Sequence, residues 1–120
     1  MTPDDFNAFC ALQPCTTQGV QWSGSHVWKV GGKVFAICRP SKESPSFTFK
    51  VSAIAYEILR EQPGLRPAPY LASRGLKWIQ HYASPGLSDD DLRTYIGQSY
   101  AIVSDGLSKK QKIAIGLAQA

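Results

Sequence analysis

The sequence predicts a two-layer α+β domain, an antiparallel β-sheet with helices packed mainly on one face. Three observations predict it. Gly31-Gly32 joins two runs rich in β-branched and aromatic residues, as the turn of a two-residue hairpin does. Residues 46–51 alternate, with Phe47, Phe49 and Val51 on one side and Ser46, Thr48 and Lys50 on the other. One sheet face is therefore covered and the other wet. Apolar residues at helical spacing follow Thr2, Ser52 and Ser88, each placed as an N-cap.

Taken in order, Thr2-Pro3-Asp4-Asp5 starts a helix with a capping hydroxyl, proline at its first position and acids at the positive end of the dipole. Phe6, Phe9, Cys10 and Gln13 share a face, and Pro14 closes it. Val20 to Trp22 is a short strand, and the hairpin runs from His26 to Arg39. Pairing across its turn sets Val30 opposite Lys33, Lys29 opposite Val34 and Trp28 opposite Phe35. Trp28, Val30, Phe35 and Ile37 then share one face, and Val27, Val34, Ala36 and Cys38 the other. Lys29 and Lys33 fall on opposite faces.

A polar loop, residues 39–45, leads to the alternating strand. Ser52 caps a helix to about Gln62 whose stripe is Ile54, Ala55, Ile58 and Leu59. Pro63-Gly64 ends it. Residues 65–71 carry two prolines and read as an extended connection. Lys77 to Ala83 is a strand, and Pro85-Gly86 a turn. Ser88 with Asp91 resembles a capping box and opens a helix in which Leu92, Tyr95, Ile96, Ser99, Tyr100 and Val103 share a face. Residues 107–112 lead to a last helical segment, Ile113 to Ala118. No repeat or boundary divides residues 1–120, which read as one domain with 113–120 as a C-terminal tail.

The composition, 43% hydrophobic and 18% charged, describes an ordinary globular chain. A formal net charge of +4 permits a phosphate-rich partner without demanding one. Three cysteines without CxxC spacing and two histidines make no zinc set, and Cys38 reads as a small buried hydrophobe. The start lacks a basic and apolar leader, and no apolar run approaches the ~20 residues of a membrane helix. The expectation is a cytoplasmic protein with reduced thiols, no membrane contact, no metal and no cofactor.

No nucleophile elbow, catalytic triad, HExxH motif or phosphate loop is present, so a non-enzymatic role is expected. Asp89-Asp90-Asp91 fits dipole stabilisation better than a metal site. His81 reads as a strand residue rather than a general base.

Nucleic-acid binding is the sharper expectation. Lys50 lies on the wet face with Ser46 and Thr48. Register decides whether Lys77, Ile79 and His81 or Trp78, Gln80 and Tyr82 join them. Cations there would neutralise phosphates, and exposed aromatics would stack on bases. Lys109, Lys110 and Lys112 after Ser108 form a second basic site beside free backbone N–H groups. Lys29 and Lys33 reach one phosphate track only if the hairpin tip enters a groove. Arg66 and Tyr70 complete the candidates. The alternative is a protein-interaction module: a hairpin apolar on both faces needs a second cover, which a homodimer or bound peptide supplies.

Six segments stand out in order and spacing: Trp28-Lys-Val-Gly-Gly-Lys-Val-Phe-Ala36, Phe47-Thr-Phe-Lys50, Pro63-Gly-Leu-Arg-Pro-Ala-Pro-Tyr-Leu71, Trp78-Ile79, Ser99-Tyr-Ala-Ile-Val103 and Leu107-Ser-Lys-Lys110. Together they resemble the MmcQ/YjbR family of small bacterial proteins. The likeness runs from about Phe6 to Lys112. It implies a CyaY-like or secretion-chaperone-like fold and a DNA-binding label tied to a double-wing sheet. Lys77, after Arg74-Gly75-Leu76, stands where the family often carries a histidine, and residues 113–120 pass its usual end.

Overall fold

The computed structural model describes residues 1–21, 24–41, 44–69, 71 and 75–119. The order is α1 (Pro3–Leu12), β1 (Thr16–Gln21), β2 (Ser25–Val30), β3 (Lys33–Arg39), β4 (Ser46–Lys50), α2 (Ala53–Leu59), β5 (Leu65–Pro67), β6 (Trp78–His81), α3 (Asp89–Asp105) and α4 (Lys109–Ile115). The strands form one antiparallel sheet in the order β1-β2-β3-β4-β6-β5. The expected Val20–Trp22 strand is longer at its start, and Trp22 lies outside the described residues.

The caps follow their chemistry. Thr2 accepts from the Asp5 N–H while the Asp5 carboxylate accepts from the Thr2 N–H, a full capping box. Ser52 and Ser88 accept from the N–H groups of Ala55 and Asp91. Ser108 and Gln111 form a second box, so the last helix starts at Lys109 rather than near Ile113. Ile115 and Leu117 pack against the core, which makes the tail part of the fold.

The proline-rich segment is not wholly irregular: Leu65–Pro67 pairs with β6 at the sheet edge. Pro67 has no N–H to offer a further strand, and an edge asks for none.

The hairpin departs from simple alternation. Val30 pairs with Lys33 and Lys29 with Val34, but Trp28 pairs with Ala36. Phe35 is the extra residue of a β-bulge. From there the alternation shifts by one, and every side chain beyond changes face. Ala36 and Cys38 therefore join Trp28, Val30 and Phe35 in the core, while Ile37 moves to the reverse face.

One side chain secures this irregularity. Ser99 of α3, fully buried, donates its hydroxyl to the Phe35 carbonyl at 2.6 Å and accepts from the Lys50 N–H at 2.9 Å. The last β3–β4 pair is Ala36 with Phe49, so these two backbone groups lie just beyond it. Around them pack Phe6 and Cys10 of α1, Leu92, Ile96 and Val103 of α3, and Phe47, Phe49 and Ile79 of the sheet. Tyr100 meets the Phe35 ring edge-on at 5.3 Å.

In α2 the buried residues are Tyr56 and Leu59, whereas Ile54 and Ile58 are 77% and 57% exposed. Of the expected stripe, Leu59 is buried and Ala55 packs against the core, while Ile54 and Ile58 turn outward. A seven-residue helix is oriented by its anchors, and Val51 before it and Leu65 after it are both buried.

The core also holds titratable groups. Cys10, Cys15 and Cys38 are free thiols. Burial pushes Cys38 up to about 12, and burial with the Cys38 neighbour raises Cys10 further. His81, opposite Phe47 in β4, has both ring nitrogens shielded from solvent and without a hydrogen-bond partner. Burial holds its pKa below the ordinary 6.5, with the Met1 amino group acting the same way and the Leu87 backbone and Asp89 opposing. Gly86 closes on the ring so tightly that any Cβ would overlap Nε2.

Two predictions follow from this packing. Ser99→Ala leaves a buried carbonyl and a buried N–H unpaired, so it should lower unfolding free energy by about 2 kcal/mol or more in denaturant melts. An unchanged midpoint would contradict that role. The unfolded chain takes up a proton on His81 more readily than the folded chain. Its contribution to stability is therefore present above 6.5 and lost as the pH falls below that value. His81→Leu should flatten the difference in stability between pH 7.5 and pH 5.5.

Candidate nucleic-acid interface

The helices cover one side of the sheet, and the pairing fixes what lies on the reverse. Val27 is opposite Ile37, Ile37 opposite Thr48, Thr48 opposite Gln80, and Gln80 opposite Arg66. These five form a row across β2, β3, β4, β6 and β5. Arg39 lies beside Ser46 toward one end, and Lys50 beside Trp78 toward the other. The register therefore places Trp78 and Gln80, not Ile79 and His81, on this face. The face is less wet than the strand pattern implies: Thr48 is 7% and Trp78 8% exposed.

The connection after β5 passes alongside, and a groove of about 560 Å³ opens between it and the sheet. Ile37, Val34, Leu71 and Trp78 give it an apolar lining, Thr48 and Gln80 supply polar edges, and Arg39 and Arg66 border it. A second depression of about 390 Å³ shares Val34 and Trp78 with the first and carries Lys33 and Lys50. The two meet at Val34 and Trp78 and form a track with arginines at one end and Lys50 at the other; beyond Lys50 the second depression turns against α3 at Ile102, Val103, Gly106 and Leu107, where Lys33, the partner of the core residue Val30, stands.

Arg66 is held in place. Its Nε donates to Gln80 Oε1 at 2.8 Å, and its guanidinium lies 4.3 Å from the centroid of the Tyr82 ring. Both interactions leave the terminal nitrogens available.

The remaining candidates fall elsewhere. Lys29, half-buried, is on the reverse face opposite Val34 but borders neither depression. Lys77 is turned to α2, with its ammonium 4.7 Å from the centroid of Tyr56. Lys109 and Lys110 are exposed on α4, where the Ser108 hydroxyl takes up the Gln111 N–H. Lys112 lies in the last turn of that helix. Tyr70 and Arg74 lie outside the described residues.

The hairpin tip is not a free wing. A Cβ on Gly31 would stand 2.7 Å from a Leu107 methyl, so the tip is packed against the α3–α4 junction. Val27, on the hairpin's reverse face, is fully buried within the chain itself.

Arg39 is the site residue the sequence conceals. Strict alternation from the turn gives no reason to place it beside Ser46, because the bulge resets the count.

Among the described residues, no three His, Cys, Asp or Glu side chains are placed to hold a metal ion. Asp89 instead pairs with the Met1 amino group at 2.6 Å, and Asp90 with Arg93 at 2.9 Å. Among those residues, too, no helix is long and apolar enough to cross a membrane.

Known proteins resemble this chain in sequence and in fold. The chain is 30% identical over 88 residues to the uncharacterised protein YbdF of Escherichia coli, covering 72% of this chain and 70% of that one. The crystal structure of Deinococcus radiodurans protein DR2400 superposes with a TM-score of 0.82 at 21% identity, over 99% of this chain and 91% of that one. A Pseudomonas syringae protein superposes with a TM-score of 0.68 at 18% identity, over 86% and 99% respectively. Both share the α+β fold described above. The YjbR family model matches residues 12–102, most of the chain and all of the sheet after α1. With the family model matched over most of its length and a relative 30% identical, the chain belongs to the YjbR family.

Proposed function

We propose that the chain is a non-enzymatic nucleic-acid-binding protein that uses the reverse face of its sheet. The observation that carries this reading is the separation of charge. The strands hold Lys29, Lys33, Arg39, Lys50 and Arg66 and no acid. The described acids sit on helices, Asp4 and Asp5 in α1, Glu57 in α2, Asp89, Asp90, Asp91 and Asp105 in α3, with Glu61 just past α2. The helix layer also carries Arg93, Lys109, Lys110 and Lys112, so its charge is mixed, whereas the cations of the reverse face have no acid among them, which is what attracts a polyanion. The free, partly buried thiols suit a reducing compartment and support a cytoplasmic setting.

A second reading, a protein partner or homodimer, is favoured by a different surface from the one the hairpin suggests. Ile54 and Ile58 lie one turn apart on α2 and are largely exposed.

Titration with mixed-sequence DNA at low salt should show binding that weakens as salt rises, with a logarithmic slope of about −2 to −4 for three or four phosphate contacts. Arg66→Glu and Lys50→Glu should each lower affinity about tenfold or more, whereas Lys110→Glu should change it far less. Absence of any binding at low salt sinks the reading. For the protein-partner reading, mass measured over rising concentration should increase, and Ile58→Asp should abolish the increase; a constant monomer mass rejects the homodimer.

A further inference from the structure

We propose that the track on the reverse face accepts an unpaired stretch of nucleic acid in preference to a duplex. This rests on the nucleic-acid reading above and adds which form of the polymer the site takes.

The first reason is that the hairpin tip is not free to enter a duplex groove. Reading a duplex calls for a protruding helix or ribbon. The hairpin tip is the natural ribbon here, and Leu107 braces it at Gly31. What the chain offers instead is a concavity.

The second reason is what lines that concavity. Ile37, Val34 and Leu71, with the exposed edge of Trp78, present apolar surface. A duplex keeps its base faces stacked inside and shows phosphates outside, so it gains nothing from such a lining. An unpaired base has a free face to lay on it and free edges for Thr48 and Gln80.

The third reason is the position of the cations. Arg39 and Arg66 flank one end and Lys50 the other, with Lys33 beyond it where the second depression turns toward α3. Along β4 the two ends, at Ser46 and Lys50, are about 14 Å apart at the usual strand rise. A flexible backbone following the trough meets positive charge at both ends while its bases lie over the apolar middle. Arg66 is already oriented by Gln80 and Tyr82, so little freedom remains to be lost when a phosphate binds.

The test is fluorescence anisotropy at low salt, using the full chain with labelled oligothymidylate and with a duplex of equal length. The single strand should bind about tenfold or more tightly than the duplex. Arg39→Ala at one end and Lys33→Ala beyond the other, both exposed positions, should each reduce that ratio while leaving the melting temperature unchanged. Equal or tighter duplex binding overturns the groove assignment and leaves the broader nucleic-acid reading standing. So does a ratio unmoved by both variants. Failure of both polymers to bind overturns the two together.

Discussion

The hydroxyl of Ser99 is the contact on which the rest of the sheet depends. A bulge at Phe35 takes a carbonyl out of the β3 ladder, and β4 is leaving its partner at the same level with the Lys50 N–H unpaired. Ser99 satisfies both from the facing helix, donating to one and accepting from the other. Each such group left alone in a dry interior costs about 1–3 kcal/mol, a large share of the roughly 5–15 kcal/mol that holds a domain together. A single small side chain thus couples α3 to the two central strands and makes the bulge tolerable.

The consequence reaches the opposite side of the sheet. Because the bulge shifts alternation by one residue, Ala36 and Cys38 turn to the helices and Ile37 and Arg39 turn away. Without that shift the reverse face would lose an arginine at one end of its track and an apolar floor residue at its centre. Charge follows the same geometry: five of the described acids sit in the first turns of α1 and α3, where the dipole favours them, and Lys29, Arg39, Lys50 and Arg66 lie on strands facing away from the helices.

Much of the fold is legible in the residues. Thr2, Ser52 and Ser88 mark three helix starts, Gly31-Gly32 marks the turn, and the alternation through Phe47 and Phe49 identifies the half-covered sheet. These are local rules, and local chemistry enforces them. What is hidden depends on partners distant in sequence. The bulge needs Ser99, sixty-four residues beyond Phe35. The facing of Trp78 is decided only when β6 pairs with Lys50 of β4. Leu65–Pro67 becomes a strand because it lies at an edge, and α2 turns Tyr56 inward because its anchors set its rotation. For the site, Lys50, Arg66 and Trp78 could be named from sequence, Arg39 could not, and the lysines of α4 attract attention that their place away from the groove does not support.

On the proposed reading, the reverse face of the sheet, and not the hairpin tip or the basic last helix, meets nucleic acid. An amide NMR titration of the full chain with oligothymidylate reads this residue by residue. Shifts should concentrate at Ile37, Arg39, Thr48, Arg66 and Gln80, with Gly31, Gly32 and Lys109 to Lys112 nearly still. Shifts gathered at the tip and α4, with the groove unmoved, would contradict it.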